Sequence, residues 1–425
     1  MDPFIILRNI TIAFAALMVL KYFIFLLLAP FYGVKIARRN YLITKSQTEG
    51  KSQPYSPLIS VIVPAWNEQI SIAKTMQSVI DNSYDKIELI VINDGSTDDT
   101  EKSIRNFIKQ LDKKQKKKIK HYNQANGGKG AALNYGISKA KGEIVMTVDA
   151  DSSLHPSAIE NLTRYFADSK IDGVVGNVKV ANNETLIGLV QQLEYLFGFY
   201  SKRAHCMLGA EYIFGGACAA FRKSATFDKF GGFDTENKTE DIEMSMRLKS
   251  YGLKSLFAED VICYTEGAST LNGLLQQRLR WKKGRIDTFL KYRGVFFSRR
   301  KEHNTALSWF ILPYALLAEL QVIFEPIGFT LLIAYSIIAV DYLSLSLGIM
   351  FIFTIYFVLA VFNQHKLNLK LIGLFPFTWP MFYILTWIEY VALMYSVRML
   401  LKSEQVSWQS WSRNGIEPLM ERKLA

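Results

Sequence analysis

Apolar and polar positions divide the 425-residue chain into unlike zones. From Ile10 to Tyr32 the only charge is Lys21, and the run exceeds the ~20 apolar residues needed to cross a bilayer. No clear small-residue cleavage site separates it from the basic segment that follows, so a retained anchor is expected rather than a signal peptide. A polar stretch between Thr44 and Pro57 reads as a linker. Beyond it, Leu58–Val63, Ile87–Ile92, Gly142–Val148 and Gly173–Val178 are short, β-branched runs separated by helical stretches. That alternation predicts a mostly parallel α/β sheet. Leu271, Leu274, Leu275, Leu279, Ile286, Phe289 and Leu290 then recur at helical spacing among five basic residues, the pattern of an amphipathic helix in a membrane interface. Apolar residues dominate Ala306–Val340, Tyr342–Phe362 and Leu371–Leu401. With the N-terminal run they make four to six expected spans. Glu319 and Glu325 interrupt the first of these stretches, and charges at such depth usually face protein or water.

The predicted division is therefore an anchor over 1–43, an α/β domain over 57–268, an interfacial helix over 269–304, membrane helices over 305–401 and a tail over 402–425. Lys35, Arg38 and Arg39 follow the anchor and only Arg8 precedes it, which puts the α/β domain on the cytoplasmic side. The formal net charge of +12 suits anionic lipid headgroups and nucleoside diphosphates. No zinc-finger spacing or aromatic-basic RNA motif points to nucleic acid. Cys206, Cys218 and Cys263 form no CxxC pair, as expected of buried thiols in a reducing compartment. The run Lys113–Lys118 reads as a solvated helix end.

In α/β sheets of this kind, ligands bind at the carboxyl ends of strands. Asp94 and the Asp149-Ala150-Asp151 dyad occupy those ends. The dyad either holds Mg²⁺ or Mn²⁺ against phosphate oxygens or caps a following helix through Asp151 or Ser152. Asp94 either accepts from a uracil imide or forms the turn, with Thr97 or Asp98 as the next N-cap. Asn126-Gly127-Gly128-Lys129-Gly130 resembles a phosphate-cradling turn that opens a helix, with Lys129 reaching the diphosphate. Thr239-Glu240-Asp241 opens another helix, and Asp241 is either the candidate general base or a cap on that helix. In Gln277-Arg278-Leu279-Arg280-Trp281, Arg280 is assigned to the diphosphate, and Trp281 either to a sugar ring or to anchoring the helix in the interface. Arg278 lies on a different helical face and meets lipid headgroups or an acidic side chain.

In this order, Asp94, Asp149-Ala150-Asp151, Thr239-Glu240-Asp241 and Gln277–Trp281 resemble the processive family 2 glycosyltransferases, the cellulose, chitin, hyaluronan and poly-N-acetylglucosamine synthases, over about 57–284. The resemblance implies a GT-A (Rossmann-like) α/β fold between membrane helices. It further implies inverting transfer from a UDP-sugar with Mg²⁺ or Mn²⁺, and export of a β-linked polymer through the enzyme's own channel. Carried over by position, Pro64, Ala65, Glu68, Asp94, Lys129, Asp149 and Arg280 bind the nucleotide, and Asp149 and Asp151 the metal. Asp241 and Glu240 are catalytic, while Gly215, Gly216, Cys218, Gln277 and Trp281 face the acceptor glycan. The best-matched donor is UDP-N-acetylglucosamine or another UDP-hexose. Two features depart from the family pattern: Trp66 replaces a commoner tyrosine, and Lys282-Lys283-Gly284-Arg285 replaces the alanine-glutamine-glycine-glycine continuation of the poly-N-acetylglucosamine synthases. Any regulator or export subunit is expected to be a separate chain. A single transfer to a polyprenyl-phosphate or glycolipid acceptor, and a non-enzymatic sugar-nucleotide sensor, are the alternatives.

Overall fold

The computed structural model describes residues 3–49, 54–182, 185–340, 354, 369–373, 377–402 and 404. Its strands are β1 (Ile59–Ala65), β2 (Ile87–Asp94), β3 (Ile119–Gln124), β4 (Ile144–Val148), β5 (Ser152–Leu154), β6 (Gly173–Val180), β7 (Cys218–Arg222) and β8 (Ser255–Thr265). They form one sheet in the order β3-β2-β1-β4-β7-β6-β8-β5. β3, β2, β1 and β4 are parallel neighbours, but β7 runs antiparallel to both β4 and β6, and β5 is antiparallel to β8. β6 and β8 are parallel again, so the sheet is mixed but mostly parallel, as expected, with β7 and β5 running against the rest. The reversing strand escaped notice because Cys-Ala-Ala-Phe-Arg contains no β-branched residue.

The helices are α1 (Pro3–Thr48), α2 (Ile72–Ile80), α3 (Thr100–Gln110), α4 (Lys113–Lys117), α5 (Lys129–Lys139), α6 (Ala158–Phe166), α7 (Leu186–Met207), the short α8 (Phe227–Phe230), α9 (Glu240–Ser250), α10 (Leu271–Lys291), α11 (Leu312–Ala339) and α12 (Thr378–Leu401). β1, β2 and β4 are buried along their whole length, and this explains their unbroken apolar sequences. α5 packs so close that a Cβ on Gly136 would lie 2.5 Å from Ile62 Cγ2. That approach brings the N-terminus of α5, and with it Lys129, to the carboxyl ends of the strands. The lysine-rich α4 buries no side chain.

The expected anchor lies in α1, which continues to Thr48 through the start of the polar stretch. Ile10, Ile12, Phe23 and Leu27 are exposed along it. Its second half packs into the core of the α/β domain: Tyr32 and Ile36 are buried there. The Tyr32 hydroxyl donates to the Phe257 carbonyl at 2.6 Å and accepts from the Phe257 N–H at 3.1 Å. Phe257 lies on β8 where β5, which pairs only with Cys263–Thr265, does not reach. One hydroxyl thus satisfies a backbone pair on the strand's outer edge. Arg39 adds a bond to the Tyr165 carbonyl at 2.6 Å.

Among the described residues, Leu307–Ala339 and Pro380–Leu401 are long and apolar enough to cross a membrane. The Tyr342–Phe362 stretch and nearly all of the 402–425 tail fall outside the described residues. α10 buries Leu274 and Phe289 but also Arg278, Lys282 and Lys283, while Leu271 and Leu290 are exposed; carboxylates on α7, α11 and α12 receive Arg278 and Lys282, and Asp287 of α10 itself receives Lys283.

Candidate active site

The carboxyl ends of β1, β2 and β4 open into one cavity of about 730 Å³, bounded on its far side by α7, α9, α10, α11 and α12. Pro64, Ala65, Trp66 and Glu68 form its wall after β1. Asp94, at the end of β2, accepts from Gln124 Nε2 at 2.6 Å and from the N–H groups of Gly127 and Gly128 at 2.9 Å each. Asp94 thereby shapes the glycine turn. Gly128, with φ of 85°, is the N-cap of α5; the left-handed backbone needs a residue without Cβ. α3 begins at Thr100 rather than just after Thr97 or Asp98, and Asp98 Oδ1 accepts from the Thr100 N–H at 3.0 Å.

Asp149 and Asp151 follow β4. The strand β5 starts at Ser152 and the next helix only at Ala158, so neither Asp151 nor Ser152 caps a helix. Asp151 is buried, within 3.2 Å of Ser152 Oγ and 3.5 Å of Thr265 Oγ1. Lys129 Nζ lies 2.7 Å from Asp149 Oδ1 and 3.1 Å from Glu240 Oε1. Burial works against its charge, but Asp149, Glu240 and Asp241 together hold its pKa well above the ordinary lysine value.

Glu240 and Asp241 form the first turn of α9. Asp241 Oδ2 accepts from the Gly216 N–H at 2.8 Å and Oδ1 from the Ile242 N–H at 2.9 Å. Burial first, then the neighbouring Glu240, pushes its pKa up to about 6 against the opposing pull of Lys129. A carboxyl group so tuned is suited to accept a proton near neutral pH.

On α10, Gln277, Arg280 and Trp281 line the same cavity. Gln277 is buried, and its Oε1 has no hydrogen-bond partner among the described residues. Arg278 does not face lipid: it is buried, 2.5 Å from Glu194 Oε2 and 3.3 Å from Glu389 Oε1. Gly215 and Gly216 reach the cavity. Cys218 does not; expected at the acceptor end, it is instead a buried part of β7, packed in the sheet core. Sequence reasoning missed Glu194 and Tyr195 on α7 and Glu389 on α12, all of which line the cavity. Glu389, a lone carboxylate in an apolar stretch, carried the same signal as Glu319 and Glu325.

Among the described residues, no group of three or more His, Cys, Asp or Glu side chains could cage a metal. The dyad offers two carboxylates, and that donor set fits a hard cation drawing its other oxygens from substrate phosphate and water.

The profile of Glycosyl transferase family 2 matches residues 60–227, and that of Glycosyl transferase family group 2 matches residues 144–401. A poly-beta-1,6-N-acetyl-D-glucosamine synthase of Staphylococcus epidermidis is 29% identical over 408 residues, 92% of both chains. A synthase of the same name from Staphylococcus aureus is 34% identical over 256 residues, 57% of both chains. Among solved structures, a mannosyltransferase from Pyrobaculum calidifontis in complex with GDP-Man and Mn²⁺ shares the fold, with a TM-score of 0.59 and 19% identity over 94% of this chain and all of that one. The strand-end carboxylates, the mixed GT-A-like sheet and the family match over more than half of the chain identify it as a processive family 2 glycosyltransferase, an enzyme that transfers hexose units.

Proposed function

We propose that the protein polymerises UDP-N-acetylglucosamine into a β-linked polysaccharide by inverting transfer at the cytoplasmic face of a membrane, and passes the chain across through its own helices. The observation that carries this reading is the single continuous cavity. Asp94, Lys129, Asp149, Asp241 and Trp281 line it together with Glu325, Phe382 and Glu389 of the apolar helices. A cavity shared between the strand ends and carboxylates on apolar helices suits a hydrophilic chain that must leave between them. The exposed apolar residues of α1 and the two long apolar helices support membrane insertion.

In this reading the acceptor sugar stacks on Trp281 beside the Gly215-Gly216 turn and Gln277. Its hydroxyl attacks the anomeric carbon from the side opposite the diphosphate. Asp241 takes the hydroxyl proton as the new C–O bond forms and the bond to UDP breaks. Glu240 keeps Asp241 basic and holds Lys129, while Lys129 and Arg280 balance the charge that develops on UDP. Pro64, Ala65, Glu68 and Asp94 hold the nucleoside end. Asp149 and Asp151 would hold Mg²⁺ or Mn²⁺, which supplies further neutralisation of the leaving diphosphate when bound.

The names of the relatives support N-acetylglucosamine as the sugar. The departure after Trp281 does not oppose it, because Lys282 and Arg285 pair with Glu319 of α11 and so serve to join helices. Detergent-purified protein given UDP-N-acetylglucosamine and Mg²⁺ or Mn²⁺ should release UDP and make high-mass polymer. Release of UDP with only one sugar added to a lipid would overturn the polymerase reading.

A further inference from the structure

Lys129 is surrounded by acid. Its Nζ touches Asp149 Oδ1 and Glu240 Oε1, and its side chain is only 18% exposed. A Cβ built on Gly216 would lie 2.8 Å from this Nζ and 3.3 Å from Asp241 Oδ2, so ammonium and base converge on one backbone position. Asp151 is buried two residues from Asp149. One lysine therefore sits where three carboxylates crowd, those of Asp149, Glu240 and Asp241.

We propose that Lys129 is a resident counter-ion, holding the cation position on Asp149 until a nucleoside diphosphate arrives and releases it to a divalent metal. This rests on the reading of Asp149 and Asp151 as the metal dyad. A metal ligated by Asp149 must approach the oxygen that the ammonium already holds at 2.7 Å, and two cations on one oxygen repel. Metal alone would expel Lys129 from Asp149 and leave it only Glu240. Metal arriving with a diphosphate gives Lys129 new anionic oxygens in exchange, so the ion pairs are replaced rather than lost. Metal and nucleotide then strengthen each other's binding by the same factor. The carboxylates stay compensated between turnovers.

The test is Mn²⁺ binding to the full chain in detergent, read from the electron paramagnetic resonance of free Mn²⁺ with and without UDP. In the unaltered protein UDP should tighten Mn²⁺ by at least about 10-fold. Lys129→Met and Lys129→Gln should tighten Mn²⁺ in the absence of UDP by at least about 10-fold and shrink the UDP effect correspondingly. Lys129→Arg should bind Mn²⁺ as the unaltered protein does. Unchanged Mn²⁺ affinity without UDP in folded Lys129→Met and Lys129→Gln overturns the counter-ion role. Asp151→Asn separates this from the parent reading: full retention of Mn²⁺ binding in the presence of UDP would show that the dyad is not the metal site.

Discussion

The guanidinium of Arg278 lies over the Trp281 ring, 4.4 Å from its centroid. Glu194 and Glu389 hold the cation there, so one face of the indole is covered. A pyranose stacked on Trp281, as proposed, would take the other face. Replacing Arg278 with Lys removes the planar contact and the forked pairing, at a cost of about 1–2 kcal/mol in a desolvated setting. The expected result is roughly 10-fold weaker acceptor binding and shorter polymer, with UDP affinity unchanged. Size analysis of the product and UDP titration check the two halves. Trp281→Ala should abolish elongation altogether.

The raised pKa of Asp241, about 6, gives activity and stability opposite slopes. Transfer needs the carboxylate, so kcat/KM should rise with pH through about 6 and then level. A carboxyl whose folded pKa exceeds its unfolded value binds its proton more tightly in the folded state. Its contribution to stability is therefore present below the unfolded pKa and is lost as pH rises through about 6. Asp241→Asn should lower transfer at least about 1,000-fold, the scale on which a general base contributes. It should keep UDP binding and unfold at a higher temperature than the parent at pH 7.5. Loss of UDP binding together with transfer would make Asp241 structural.

Gly216→Ala tests the shared backbone position. The added methyl would strike the mobile end of Lys129 and press on Asp241, so the fold should lose no more than about 1 kcal/mol while kcat falls at least 10-fold. Thermal unfolding and initial rates of UDP release measure these separately.

Lys282 bridges Glu319 at 2.6 Å and Glu389 at 2.8 Å. Lys282→Met fits the space but leaves the buried Glu319 and the half-buried Glu389 short of charge, a loss of about 3 kcal/mol. Denaturation in detergent should show it; a change under 1 kcal/mol would mean that water reaches the cluster.

The strand-end aspartates and the Gln277–Trp281 motif were legible because strands and their ends leave a local signature. Glu194 was not, since its role exists only where α7 meets α10; Glu389 carried the signal of a lone carboxylate in an apolar stretch, but its partners on α10 could not be read from it. The same cause hid the burial of α10's charges: the pattern read as an interfacial amphipathic helix, but Arg278 and Lys282 are buried because Glu194, Glu319 and Glu389 come from other helices. β7 was hidden for a different reason: Ala219 and Ala220 pack tightly in the sheet while carrying little strand propensity.

The bond pair between Tyr32 and Phe257 makes α1 a lever. A change in its tilt would act on β8, whose far end holds Thr265 beside Asp151. In the proposed membrane setting, bilayer thickness would then be a mechanical input to the catalytic domain. Polymer yield should then vary with acyl-chain length in reconstituted vesicles, and Tyr32→Phe should flatten that dependence; an equal response in both proteins would mean that the helix and the strand move independently.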